Sequence, residues 1–314
     1  MREKITHQWY QHRKSVKIAV SMLVTLLLVG YLLTRLELPS IVTVLKHSNK
    51  KLLVIAMLVL WVSHPVAAYR WKLVLQMLGY RVDFWKIFIA YLTNLPITKF
   101  TPAYSGDFLR ALHLKKEVPM SKNAGVVFLE GLADVGILAL SAGAGALFLH
   151  SLPILSLGVG VLGGLFTLGV LVRITSVRTL LRRVTWGENF MEALHFVSLN
   201  PTRLIIISIL TFGMWLPTVL FVQIAFSALG THIALPLVFG IQPIVAFLAL
   251  IPFTVSGVGV RESGMLVLYA GTATAETIFS VGLLYSFFSV IVLPFLCLPL
   301  VLRALNGWSL KPRV

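Results

Sequence analysis

Acidic residues are scarce in this sequence: 11 aspartates and glutamates stand against 27 lysines and arginines in 314 residues. Charge of either sign makes up only 12% of the chain, about half the usual share in a soluble domain, which excludes that class. Cysteine occurs once, at Cys297, which rules out an internal disulfide and says nothing about redox compartment. No G-x-x-x-x-G-K-[ST] stretch offers a nucleotide site and no G-x-S-x-G elbow offers a nucleophile, so no ATP-driven step is expected within the chain. No His/Cys/Asp/Glu set has metal-ligand spacing, and no metal or cofactor is expected.

What fills the chain is apolar surface: 58% of residues are hydrophobic and the mean hydropathy is +0.91. This describes an all-α polytopic membrane protein. The strongest apolar runs lie at about 18–34, 52–69, 123–149, 152–172, 203–228 and 276–302. The first, behind the basic segment 2–17, is too long for a signal peptide and has no small-residue cleavage site, so it reads as a retained span. Two further runs, 84–101 and 235–252, are broken by Pro96 and Pro102 and by Pro243 and Pro252. If 84–101 crossed, the return would have to use 106–122, which carries Asp107, Arg110, Lys115, Lys116, Glu117 and Lys122. Re-entrant hairpins fit better, since irregular backbone survives at membrane depth where protein or a water-filled cavity covers it.

The net charge of +16 reports topology rather than nucleic-acid binding. With six spans and two hairpins, basic clusters including Arg70, Lys72, Arg81 and Lys86, then 173–183, gather on one side, with only Arg35, Lys46, Lys50 and Lys51 opposite. That bias places both termini in the cytoplasm of a prokaryotic cell whose inner membrane holds the chain. The segment 176–200 reads as an amphipathic helix on the inner surface. Trp9, Tyr10, Trp71, Trp85 and Trp308 fall near predicted span ends, as an interfacial belt does.

Ser105-Gly106-Asp107-Phe108-Leu109-Arg110 and Ser256-Gly257-Val258-Gly259-Val260-Arg261 are two copies of S-G-x-x-x-R, 151 residues apart. The same shift lays Leu78-Gly79 on Leu229-Gly230 and Phe128 on Phe279. The chain is therefore one membrane domain, 1–314, of two repeats: about 17–149 with a re-entrant segment 84–110, and about 152–303 with a re-entrant segment 235–261. Three spans per repeat invert the second copy in the membrane, a transporter architecture.

Each motif suits a helix start in a tight turn, where amide groups and a forked guanidinium favour a phosphate. The plainer alternative is a buried ion pair, Asp107 with Arg110 or Arg261 with Glu262. Glu130 and Asp134, one turn apart in the third span, must face the protein interior, as counter-ions for the arginines or as a proton relay. His64-Pro65 marks a kink in the second span, with the histidine read as a local hydrogen-bond partner, and Glu276 reads as a solvated span end.

These residues resemble the flippase-like membrane domain of lysylphosphatidylglycerol synthases and its stand-alone relatives. The likeness runs through Pro102, Ser105-Gly106-Asp107, Arg110, Glu130 and Asp134. It continues through Ile251-Pro252, Ser256-Gly257, Gly259, Arg261-Glu262 and Gly264, and with the hydropathy pattern covers nearly the whole chain. One departure is Gly131, where the family often has arginine. The resemblance implies movement of lipids with charged or bulky head groups between leaflets: phospholipids, aminoacylated phospholipids, polyprenyl-phosphate glycolipids or hopanoid-type lipids. With the chain ending at Val314 soon after the last span, synthase activity is not expected.

The expectation is a lipid flippase, not an enzyme, with no catalytic residue and no metal. Its substrate site would draw on Ser105, Gly106, Asp107, Arg110, Glu130, Asp134, Ser256, Gly257, Gly259, Arg261 and Glu262. Its partners are anionic membrane lipids, with room for a lipid-modifying enzyme or a homo-oligomer and none for nucleic acid. The rivals are an enzyme acting on lipid head groups, with Glu130 and Asp134 as acid and base, and a scaffold for a separate glycosyltransferase or synthase.

Overall fold

In lipid a backbone must satisfy its own polar groups, and this chain does so with helices. The computed structural model describes residues 20–148, 200–250 and 254–309. The expected span 152–172, the amphipathic segment 176–200, the basic stretch 2–17 and Ile251-Pro252 lie outside the described residues.

Helix α1 (Val20–Arg35) meets α2 (Leu38–His47) at a bend of 89°. Helix α3 (Lys50–Trp61) starts on Asn49, whose side chain accepts from the Lys51 and Leu52 amides. Pro65 has no amide to give to Trp61, so α3 breaks at Val62 and α4 runs over Ser63–Met77. Asp83 caps α5 (Phe84–Phe100), which leads into a tight 3-10 turn, Pro102–Leu109, and the short α6 (Arg110–His113). Helix α7 (Met120–Phe148) and α8 (Pro201–Ala228) are the longest. Helix α9 (Leu235–Ala249), a second tight turn (Val255–Gly257) and α10 (Val260–Leu268) form the second hairpin. Helix α11 (Ala275–Ser286) passes through a π-segment, Phe287–Val292, into α12 (Leu293–Ser309).

Among the described residues four stretches are long and apolar enough to cross a membrane: Lys50–Met77, Met120–Leu147, Pro201–Ala228 and Ala275–Arg303. The bent α1–α2 pair makes a fifth candidate. The chain is a multi-pass all-α membrane protein.

Two expectations change at α4. The second apolar run ends near residue 69, but no helix breaker follows until Leu78-Gly79, so the helix continues and carries Arg70 inward rather than into a surface cluster. Trp71 is likewise no interfacial residue: it is fully buried and its indole N–H donates to Asn123 Oδ1 at 2.9 Å. Trp85 remains exposed, as an interfacial residue would be.

The halves match in local detail. Helices α4 and α8 end in the same Schellman cap. Gly79 donates to the Gln76 carbonyl and Tyr80 to Leu75; Gly230 donates to Ser227 and Thr231 to Phe226. Both glycines hold positive φ, 88° and 79°. The tight turns repeat as well. A Cβ on Gly106 would lie 2.9 Å from the Thr98 Cα, and one on Gly257 would lie 2.8 Å from the Ala249 Cβ and carbonyl oxygen. Thr98 and Ala249 are themselves 151 residues apart, so each turn folds back on the same place of its preceding helix.

The hairpin tips touch. Ser256, left-handed at φ 52°, donates from its hydroxyl to the Lys99 carbonyl at 2.6 Å. Helices α7 and α9 cross where Gly145 faces Gly240, with no room for a side chain at Gly145.

Candidate functional site

The first tip places Arg110 at the start of α6, and α7 brings Glu130 and Asp134 opposite it. Arg110 Nη2 donates to Glu130 Oε2. The alternative pairing with Asp107 is not made; Asp107 instead accepts from Thr98 Oγ1 at 3.1 Å and so helps hold the turn. The geometry is set by the tight turn, which Asn94 ties down by donating to the Gly106 carbonyl at 3.0 Å.

Arg70 completes the cluster. Its Nε donates to Glu130 Oε1 at 3.1 Å, and its two terminal nitrogens grip Asp134 at 2.6 and 3.2 Å. It also donates to Thr211 Oγ1 at 2.8 Å. Glu130 thus gives one oxygen to each arginine. Arg70 and Glu130 are 3% and 1% exposed, while the Asp134 side chain keeps 23%. Removing one partner from such a network strands a buried charge, at a cost of about 3–5 kcal/mol. The Arg110 guanidinium also faces Trp71 and Tyr91, at 4.8 and 5.8 Å from their ring centres.

The second motif sits differently. Arg261 Nη1 donates to Ser286 Oγ at 3.0 Å and Nη2 to the Ser256 carbonyl at 3.1 Å. Its guanidinium lies 4.2 Å from the centre of the Tyr285 ring. Glu262 does not pair with Arg261 directly: Ser286 donates to its Oε1 at 2.6 Å, and its other oxygen accepts from the Gly259 amide. Gly259 and Gly257 hold positive φ that lets the chain turn into α10.

A cavity of about 440 Å³ opens over the first cluster. Arg70, Lys99, Arg110, Asp107, Glu130 and Asp134 all line it, so three cations face three carboxylates. Phe128, Val135, Trp215 and Leu250 supply apolar wall, and Tyr285 and Ser289 close one side. Gly131 also lines the cavity, and a Cβ there would meet nothing within 4 Å. Four buried polar atoms on lining residues have no hydrogen-bond partner: His64 Nδ1, Arg110 Nε, Trp215 Nε1 and Ser289 Oγ. Unpartnered polar atoms buried in a membrane protein are costly. Among the described residues no group of three His, Cys, Asp or Glu side chains is placed to hold a metal ion.

Of the residues singled out in the sequence, Asp107, Arg110, Glu130 and Asp134 come together on this cavity. Gly106 packs against Thr98 and Thr101, Ser256 joins the two tips, and Gly257, Gly259, Arg261 and Glu262 do not line the cavity. The side chain of Ser105 lies outside the described set. Arg70, Lys99 and Trp215 were missed. The signal for Lys99 was a lysine inside the apolar run 84–101; Arg70 had no such signal, since it follows the end of the apolar run 52–69.

Over 128 residues the chain is 27% identical to a UPF0104 membrane protein of Methanocaldococcus jannaschii, covering 40% of this chain. The match spans 38% of that relative's length. The family model described as the lysylphosphatidylglycerol synthase TM region matches residues 16–297, and the chain belongs to that family.

Proposed function

We propose that this protein moves a phosphate-bearing lipid between the leaflets of a prokaryotic inner membrane, with both termini cytoplasmic. The observation that carries this reading is a cavity bounded by membrane-length helices, apolar on much of its wall, into which six charged side chains project. Charge inside a membrane protein is expensive unless it faces a substrate or ion path. Family membership places the chain among lipid-related membrane proteins.

The head group would lie on Arg110, with Lys99 beside it and Asp134 as the more exposed carboxylate. A phosphate reaching Arg110 competes with Glu130, which retains Arg70. Helices α5 and α9 with their turns act as re-entrant hairpins of two inverted repeats, and rocking of one repeat against the other exposes the cavity to each leaflet in turn. A transport role is favoured over an enzymatic one because the carboxylate oxygens of Glu130 and Asp134 are already taken up by Arg70 and Arg110 rather than turned to a reacting group.

The test is translocation of fluorescent phospholipid in reconstituted vesicles. Arg110→Ala is expected to slow it by about tenfold or more, the loss of a charge-assisted contact. Translocation at the wild-type rate in that variant would refute the assignment.

A further inference from the structure

The cavity is electrically balanced, and a fourth cation lies just behind its wall. Arg261 donates to the carbonyl of Ser256, whose hydroxyl bonds the backbone of the cavity-lining Lys99, yet Arg261 itself is only 6% exposed and does not line the cavity. Tyr285 belongs to the cavity wall. Its ring packs on the Arg261 guanidinium, 4.2 Å from ring centre to carbon. Phe221 buttresses that ring edge-on at 5.5 Å. Ser286 and the Ser256 carbonyl hold two of the guanidinium nitrogens.

We infer that Tyr285 withholds Arg261 from the head-group cavity and thereby selects against head groups with surplus negative charge. The inference rests on the reading of the cavity as the head-group site. Within the cavity Arg70 and Arg110 are already engaged by Glu130 and Asp134. A phosphodiester with an attached ammonium brings its own balancing charge and needs no further cation. A phosphomonoester can carry a second negative charge, and Arg261, packed behind the lining Tyr285, is the further cation to meet it. With the aromatic ring in place, that guanidinium is spent on a cation–π contact and two hydrogen bonds.

The test uses the purified full chain, equilibrated with equimolar phosphatidic acid and phosphatidylethanolamine, with retained lipid read by native mass spectrometry. Wild type is expected to favour phosphatidylethanolamine. Tyr285→Leu and Tyr285→Met, which remove the ring at similar bulk, should each shift the ratio toward phosphatidic acid by about tenfold, the scale of one charge-assisted contact. Tyr285→Phe keeps the ring and should stay within about twofold of wild type. Adding Arg261→Gln to Tyr285→Leu should abolish the shift. A wild-type ratio in both ring-free variants, or a shift that survives loss of Arg261, overturns the inference. Arg110→Gln separates the two claims: undiminished retention of both lipids sinks the head-group site itself. Loss of both lipids there, with ring-free variants at the wild-type ratio, sinks only the role of Tyr285.

Discussion

Arg110 and Arg261 occupy equivalent positions in the two halves, and their surroundings differ residue by residue. Around Arg110 stand Arg70, Glu130 and Asp134; the positions 151 residues later hold Phe221, Val281 and Tyr285. The first half therefore answers its arginine with carboxylates and a second guanidinium. The second half answers with an aromatic pair and a serine. Lys99 and Asp107 likewise have apolar counterparts, Leu250 and Val258. The backbone devices, by contrast, are shared: the Leu-Gly caps and the glycine packed against the preceding helix. Shared backbone with divergent side chains means one half builds the polar site while the other supplies its cover.

That contrast can be broken at its strongest point first. Glu130→Ala would leave Arg70 and Arg110 facing each other without their common carboxylate, and should destabilise the protein by about 3–5 kcal/mol in chemical unfolding. Val281→Ala, at the equivalent position, removes two buried methyl groups and should cost about 1–2 kcal/mol. Comparable losses would mean the first cluster is not the charged core described above.

The tight turns come next. Gly257→Ala meets Ala249 at 2.8 Å and also needs a positive φ of 74°, so it should cost about 2–4 kcal/mol. Gly106→Ala meets Thr101 Oγ1 and the Thr98 backbone without that conformational demand, and should cost less, about 1–3 kcal/mol, by the same unfolding measurement. Smallest are Gly79→Ala and Gly230→Ala. Neither new Cβ meets anything within 4 Å, so each should lose only the left-handed penalty, about 1 kcal/mol. The two shifts in melting temperature should agree; unequal shifts would show that the caps are not equivalent.

The glycines and the S-G-x-x-x-R copies were legible because backbone geometry dictates residue type, and a fixed offset repeats it. Glu130 and Asp134 were legible because carboxylates one turn apart in an apolar run can only point inward. Arg70 was not, because hydropathy marks where an apolar run ends and α4 continues past that point to Met77. The pairing itself was only partly visible: i,i+3 spacing offered Asp107 as one partner for Arg110 and the buried Glu130 as another, and the turn sends Asp107 toward Thr98 and Arg110 toward Glu130 on α7. Spacing within one turn says nothing of the partners other helices bring, and here Thr98 on α5 and Glu130 on α7 take the two side chains.

Ser256 links the tips of the two hairpins to each other by one hydroxyl-to-carbonyl bond. A bond of that kind contributes about 0.5–1.5 kcal/mol net, so the joint is a catch with a low release threshold rather than a weld. A bound lipid that prefers parted tips by a similar margin would be enough to reverse their population.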